Sequence, residues 1–280
     1  MQTLEALVPP LLELCRQAGD QICAHYHAPG ADRFESKQDD SPLTRADLDS
    51  HACLKLGLSK IEPELPLLSE ESSESELARR HDWRRFWLVD PLDGTKEFLE
   101  RTGEFTINIA LVDEHRAIFG LIYLPLEKKA YVGIPGVGAY RYCYQDTAWV
   151  REPLSARTLK DGQALTVLAS RRHRGPRLMA CLDWLAAQWG PLARDDSGSA
   201  LKFCRLAEGV GDVYPRFTPC CEWDTAAGQA LVEAVGGSLV GLDGAPLRYN
   251  LKDSLLSPNF YAIAQPSHAL WQRLLAREPF

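Results

Sequence analysis

The residues best suited to chemistry in this 280-residue chain are gathered in Asp90-Pro91-Leu92-Asp93-Gly94-Thr95. Two carboxylates with a hydroxyl and backbone carbonyls close by, and no His or Cys among them, make a hard oxygen donor set. Such a set suits Mg²⁺ or Mn²⁺ better than zinc. Pro91 fixes its own φ and biases Asp90 toward extended geometry, which partly presets the spacing of the two acids. Gly94 permits unusual backbone angles or a close approach. Thr95-Lys96-Glu97-Phe98 can start a short helix whose free N–H groups favour a phosphate. Asp-Pro and Asp-Gly are also common turn formers, so these six residues alone fit a plain turn equally well.

Other carboxylates occur at comparable boundaries. Glu70-Glu71 follows the apolar stretch Leu65-Pro66-Leu67-Leu68. Glu74 and Glu76 read as a solvated acidic loop. Asp224 stands at a helix start, where an ordinary N-cap is the simpler role. Asp47 lies three residues after Thr44, the spacing of a capping box. Each position has a plain structural explanation, but their joint occurrence is harder to dismiss.

The elements that must position these groups follow from periodicity. Residues 10–27 put Leu11, Leu12, Cys15, Ala18 and Ile22 at helical spacing. A polar loop is expected from Gly30 to Pro42. Thr44 then opens a helix with Leu48, Ala52, Leu56 and Ile61 toward its apolar face, and Ser69 to Glu76 reads as loop. Phe86 to Val89 is an apolar strand ending at Asp90. Phe105 to Val112 alternates, and segments 117–124, 129–133 and 139–144 follow at hairpin spacing. The pattern changes after about residue 155. A strand at Leu165 to Ala169, helices at 176–189, Ser199–Ala207, Asp224–Val235 and 268–276, and strands near 238–240 and 260–264 predict alternating layers. The chain therefore divides into an α+β segment, 1–155, with most of the acidic groups, and an α/β segment, 156–280, that completes the site.

Composition narrows the function classes. With 45% hydrophobic and 25% charged residues the chain can bury a large core. A formal net charge of −7 disfavours binding to a nucleic-acid backbone. It leaves room for a small anionic substrate, because bound cations reverse a local field. The start Met1-Gln2-Thr3-Leu4-Glu5 lacks a basic segment followed by an apolar run, so no secretory leader is expected. No apolar stretch approaches the roughly 20 residues of a membrane span. Eight cysteines without a CxxC pair fit free thiols in a reducing cytoplasm, and adjacent Cys220-Cys221 cannot easily chelate one tetrahedral ion. Peripheral association with the cytoplasmic face of a membrane would leave no trace in such patterns.

Three ordered motifs carry a resemblance over nearly the whole chain: Leu68-Ser69-Glu70-Glu71-Ser72, Trp87-Leu88-Val89-Asp90-Pro91-Leu92-Asp93-Gly94-Thr95, and Glu222-Trp223-Asp224-Thr225-Ala226-Ala227-Gly228. Together they resemble the inositol monophosphatase superfamily of magnesium-dependent, lithium-sensitive phosphatases. Lys96-Glu97-Phe98, Gly103 to Ala110, Gly198 to Cys204 and Tyr214-Pro215-Arg216-Phe217 look like its CysQ branch, the 3′(2′),5′-bisphosphate nucleotidases.

The resemblance implies an α/β (α+β) fold, a layered αβαβα sandwich, and a site holding two or three Mg²⁺ ions. By this likeness Glu70, Asp90 and the Leu92 carbonyl hold a first metal. Asp90 bridges to a second, completed by Asp93 and Asp224. Asp47, Thr95 and Glu70 are the implied catalytic residues, with Asp47 and Thr95 matching the pair that activates the attacking water. The Gly94-Thr95 backbone is the implied phosphate cradle, beside the ligands Glu70, Leu92, Asp93 and Asp224. Ser199 and Lys202, with Ser170, His173 and Arg216, are candidate nucleotide contacts, though caps or surface roles serve each of them as well. The implied substrate is 3′-phosphoadenosine 5′-phosphate, or its sulfated relative, in sulfur assimilation. An inositol or sugar phosphate is the alternative substrate, and a catalytically silent nucleotide or metal binder the alternative function. The chain could be a monomer or a homodimer.

Overall fold

The computed structural model describes residues 3–28, 34–36, 42–172, 175–278 and 280. The first helix, α1 (Val8–His27), follows a short 3₁₀ turn and carries prolines in its first turn, where a missing N–H costs nothing. Two two-residue strands, β1 (Glu35–Ser36) and β2 (Pro42–Leu43), pair within the stretch expected to be loop. Helix α2 (Arg45–Ile61) opens on a capping box formed by Thr44 and Asp47. Its buried face carries Asp47, Ser50, Leu54 and Leu58, whereas Leu48 and Leu56 are exposed. The expected apolar face is thus wrong: this helix turns two polar residues inward.

A seven-stranded sheet follows. It comprises β3 (Leu67–Ser69), β4 (Arg85–Asp93), β5 (Thr106–Asp113), β6 (Arg116–Leu124), β7 (Lys129–Ile134), β8 (Gly138–Gln145) and β9 (Ala148–Pro153), in sequence order. Only the β3–β4 pair is parallel among these. Helix α3 (Glu74–Leu77) lies inside the acidic run read as loop, where Ser73 and Glu76 form a capping box. Helix α4 (Thr95–Leu99) follows β4. Strand β4 does not end at Asp90 but continues to Asp93 through an irregular register.

The second sheet has order β11-β10-β12-β14-β13. Its members are β10 (Leu165–Ala169), β11 (Leu192–Asp196), β12 (Val213–Arg216), β13 (Ser238–Gly241) and β14 (Phe260–Ile263). Helices α5 (Pro176–Trp189), α6 (Leu201–Ala207), α7 (Glu222–Ala234) and α8 (Ala269–Ala276) complete the described elements. The helix expected from Ser199 starts at Leu201, because Ser199 takes a left-handed φ of 47°. Among the described residues no helix is long and apolar enough to cross a membrane.

Pleat alternation explains the layering. On β5, Ile107, Ile109 and Leu111 face one core with α1 and α2, while Ala110 and Val112 face another. That second core contains Phe203 and Leu206 of α6, Ala227 and Leu231 of α7, and Leu168, Tyr214 and Phe260 of the second sheet. The far side of the second sheet, with Val167, Val213 and Ile263, packs on Leu182 of α5 and Trp271 of α8. The result is an αβαβα sandwich whose middle helices are shared by both sheets. Helix α7 sits hard on the first sheet: a Cβ added at Gly120 would lie 2.3 Å from the Ala227 carbonyl, and one at Gly133 2.4 Å from the Leu231 Cα.

Candidate active site

In a regular strand, residues three apart point to opposite faces. Asp90 and Asp93 escape this rule. Asp90 pairs with Asn108 and Asp93 with Thr106, so β4 spends one more residue than β5 over this interval. This bulge restores both carboxylates to one side. Ser50 of α2 donates its hydroxyl to the Pro91 carbonyl at 2.8 Å, and the Leu92 N–H donates to Asp90 Oδ1 at 3.0 Å. Gly94 then takes φ 90°, which turns the chain into α4.

Asp224 arrives from the other half, at the third position of α7 rather than at its N-cap, which is Cys221. Its Oδ2 accepts the Cys221 N–H at 2.8 Å. Oxygens of Asp90, Asp93 and Asp224 lie within 4.8 Å of one another. Glu70, just past β3, is held beside Asp90 by its own N–H, which donates to the Val89 carbonyl at 3.2 Å. Glu70 lines the same cavity of 380 Å³ as the three aspartates, Leu92, Gly94 and Thr95.

The electrostatics of this cluster are strained. Burial, reinforced by the negative charges of Glu70, Asp93 and Asp224, pushes the Asp90 carboxyl well above the usual carboxylate range. Burial, then repulsion from Asp93 and Glu70, pushes Asp224 up to about 7. Carboxylates crowded in this way, with a carbonyl and a hydroxyl nearby, fit a hard divalent cation that supplies the missing positive charge. Burial raises the Cys220 thiol to about 12 and raises Cys221 as well, which disfavours thiolates beside the carboxylates.

Asp47 joins the cluster through Thr95. Its Oδ2 accepts the Thr44 N–H at 2.8 Å, and its Oδ1 lies 3.3 Å from Thr95 Oγ1. The same Thr95 hydroxyl lies 3.3 Å from the Leu92 carbonyl. Asp47 thus serves the capping-box role expected of it, and Asp224 serves the same role from the third position of α7 instead of the N-cap role expected. One oxygen of each accepts the N-cap N–H, while the residue also lies at the acidic cluster or its Thr95 neighbour.

Ser199 and Lys202 sit behind Asp93. Ser199 Oγ donates to Asp93 Oδ2 at 2.7 Å and lies 2.7 Å from Thr106 Oγ1. Lys202 is 1% exposed, and its Nζ donates to the carbonyls of Ser197 and Ser199 at 3.0 and 2.7 Å. Ser170 and Arg216 line the cavity, while His173 falls outside the described residues. Sequence reasoning missed Asn108, whose Nδ2 lies 3.3 Å from Asp93 Oδ2. A buried strand carrying Thr106 and Asn108 was the available signal, since buried polar groups require partners. It also missed Glu97 and Arg172, which line the cavity.

The chain belongs to the inositol monophosphatase family, whose model matches residues 4–276. The 3′(2′),5′-bisphosphate nucleotidase CysQ of Salmonella typhimurium is 39% identical over 254 residues, covering 91% of this chain and 98% of its own. That of Escherichia coli K12 is equally similar over the same shares. The crystal structure of CysQ from Bacteroides thetaiotaomicron, at 38% identity, superposes with a TM-score of 0.79 over 91% of this chain and 96% of that one. An IMPase/NADP phosphatase structure with Mg²⁺ and phosphate shares the fold at 20% identity and a TM-score of 0.77, over 99% and 97% of the two chains.

Proposed function

We propose that this chain is a Mg²⁺-dependent 3′(2′),5′-bisphosphate nucleotidase acting in the cytoplasm. Its reaction removes the 3′-phosphate of 3′-phosphoadenosine 5′-phosphate, leaving AMP and phosphate, a step suited to sulfur assimilation. The single observation carrying this reading is the convergence of Asp90, Asp93 and Asp224 within 4.8 Å beside the Thr95–Asp47 pair, in a chain 39% identical to CysQ enzymes.

In this reading Glu70, Asp90, Asp93, Asp224 and the Leu92 carbonyl hold two or three Mg²⁺ ions, with Mn²⁺ a possible substitute. The cations supply Lewis-acid polarisation and neutralise phosphate charge, which is most of what phosphoryl transfer requires. Thr95 Oγ takes a proton from the attacking water as its own hydrogen passes to Asp47 Oδ1, 3.3 Å away, which ends as the protonated group. When the Leu92 carbonyl is engaged as a ligand, Asp47 is left as the acceptor for that hydrogen. Fixing Asp47 through Thr44 keeps its second oxygen aimed at Thr95, so the hydroxyl and carboxylate act as one base. In this reading the Gly94-Thr95 backbone and Ser170, which line the cavity, hold substrate oxygens. Segments 1–155 and 156–280 act as subdomains that contribute opposite walls of the site.

The test is phosphate release from 3′-phosphoadenosine 5′-phosphate, its sulfated relative and inositol 1-phosphate, each with Mg²⁺, Mn²⁺ or chelator. A clear preference for a bisphosphate nucleotide with Mg²⁺ is expected. A preference for inositol phosphate overturns the substrate, and chelator-insensitive turnover overturns the metal.

A further inference from the structure

Ser199 donates to Asp93 from a left-handed backbone, at φ 47°. A non-glycine residue keeps such a conformation only where its surroundings hold it. The holding groups act on the strap 196–199, which leads from the end of β11 toward α6. The Ser197 N–H donates to the Ala169 carbonyl at 3.1 Å, and the carbonyls of Ser197 and Ser199 accept from Lys202. These backbone contacts come from the second half itself. Glu104, on the loop between α4 and β5, reaches the strap from the first half. Its Oε2 accepts the Gly198 N–H at 2.8 Å, and its Oε1 accepts from Arg171 Nη2 at 2.6 Å. Arg171 returns to the strap, donating through Nε to the Asp196 carbonyl at 3.2 Å. The carboxylate and the guanidinium thus bracket residues 196–198.

The fit is close. A Cβ added at Gly198 would lie 3.2 Å from Glu104 Oε2 and 2.8 Å from Glu97 Cγ, so glycine lets the N–H seat on the carboxylate. The Glu104 side chain is 17% exposed, which partly shields this charge-assisted bond from water. Its backbone carbonyl faces Gly94, where an added Cβ would meet it at 3.0 Å. Resting on the metal-site reading above, we infer that Glu104 is a positioning residue for the cation site. It sets the Gly198-Ser199 backbone, and Ser199 Oγ in turn fixes the rotation of Asp93 beside Asp90 and Asp224. Glu104 acts through Ser199, not by contact with substrate.

The test is calorimetric Mg²⁺ binding to the substrate-free protein, which needs no turnover. Glu104→Ala is expected to raise the Mg²⁺ Kd by about threefold to tenfold, and Glu104→Gln, which keeps an oxygen for the Gly198 N–H, by less. Because the effect passes through Ser199, it should vanish in the Ser199→Ala background. The double variant is expected to bind Mg²⁺ within about twofold of Ser199→Ala alone. Gly198→Ala, which displaces the strap and leaves the carboxylate in place, should behave like Glu104→Ala in both backgrounds. A Kd unchanged by Glu104→Ala, or effects that multiply in the double variant, would show that Glu104 only joins the two halves, and the proposal is overturned. Wild-type protein that binds no Mg²⁺ defeats the metal-site reading and the proposal together, so the two failures are distinct.

Discussion

Ser199 and Asp93 lie 106 positions apart in the chain, yet the serine hydroxyl donates to the aspartate carboxylate at 2.7 Å. This bond ties the turn before α6 to the end of β4 and fixes the rotation of one acid in the cluster. Partners of this kind typically govern metal affinity by 10- to 100-fold. Ser199→Ala is therefore expected to raise the Mg²⁺ concentration for half-maximal turnover by about tenfold, with kcat largely recovered at saturating Mg²⁺. A Mg²⁺ titration of activity checks this, and an unchanged midpoint would remove Ser199 from the site.

The Thr95–Asp47 pair makes a contrasting prediction. Asp47→Asn keeps an oxygen for the Thr44 N–H, so the helix cap survives while the base is lost. We expect kcat to fall by roughly a hundredfold or more, with Mg²⁺ affinity nearly unchanged. Single-turnover kinetics beside calorimetric Mg²⁺ binding separate the two effects. Loss of metal binding with intact chemistry would reverse the assignment.

Lys202 gives a pH dependence. Burial lowers its pKa from 10.5 to about 8, with the charge of Arg216 adding to the effect. Between these values the unfolded chain binds more protons than the folded one, so stability rises with pH over that window and the benefit is lost as pH falls through about 8. Relative to Lys202→Met, the wild type should therefore gain stability between about pH 7.5 and about pH 10. Urea denaturation of both proteins at the two pH values measures the difference. A gap that is constant or that shrinks would show that Lys202 titrates normally.

The close seat of α7 predicts a fourth kind of effect. A methyl at Gly133 meets the Leu231 backbone at 2.4 Å, and backbone cannot swing aside as a side chain can. Gly133→Ala is expected to destabilise the fold by about 1–3 kcal/mol. Because α7 carries Asp224, Mg²⁺ affinity should weaken in parallel. Thermal melts with and without Mg²⁺ test both parts, and an unaltered Tm would contradict the packing.

How much of this was legible beforehand depended on where polarity and burial agree. Most helices and the early hairpins follow from apolar spacing, and α2 shows where that logic breaks. Asp47, Ser50, Leu54 and Leu58 share its buried face, so tracking apolar residues alone turned the helix the wrong way. Strands β11 and β12 carry little strand signal, because one is Leu-Ala-Arg-Asp-Asp and the other contains Pro215 in four residues. The bulge that turns Asp90 and Asp93 to the same side has no local signature in the six residues themselves. It appears only when the register against Thr106 and Asn108 is known. The pairing of Ser199 with Asp93 is a long-range contact of the same kind, beyond the reach of any spacing rule.

The most direct measurement is phosphate release by Asp90→Asn at saturating Mg²⁺, beside its thermal melt in chelator. The substitution keeps the shape of the buried side chain and removes the charge at the centre of the cluster. Turnover should fall by roughly a thousandfold while the metal-free protein melts at or above the wild-type temperature, since a buried repulsion has been relieved. Near-wild-type turnover by this variant would contradict the account at its centre.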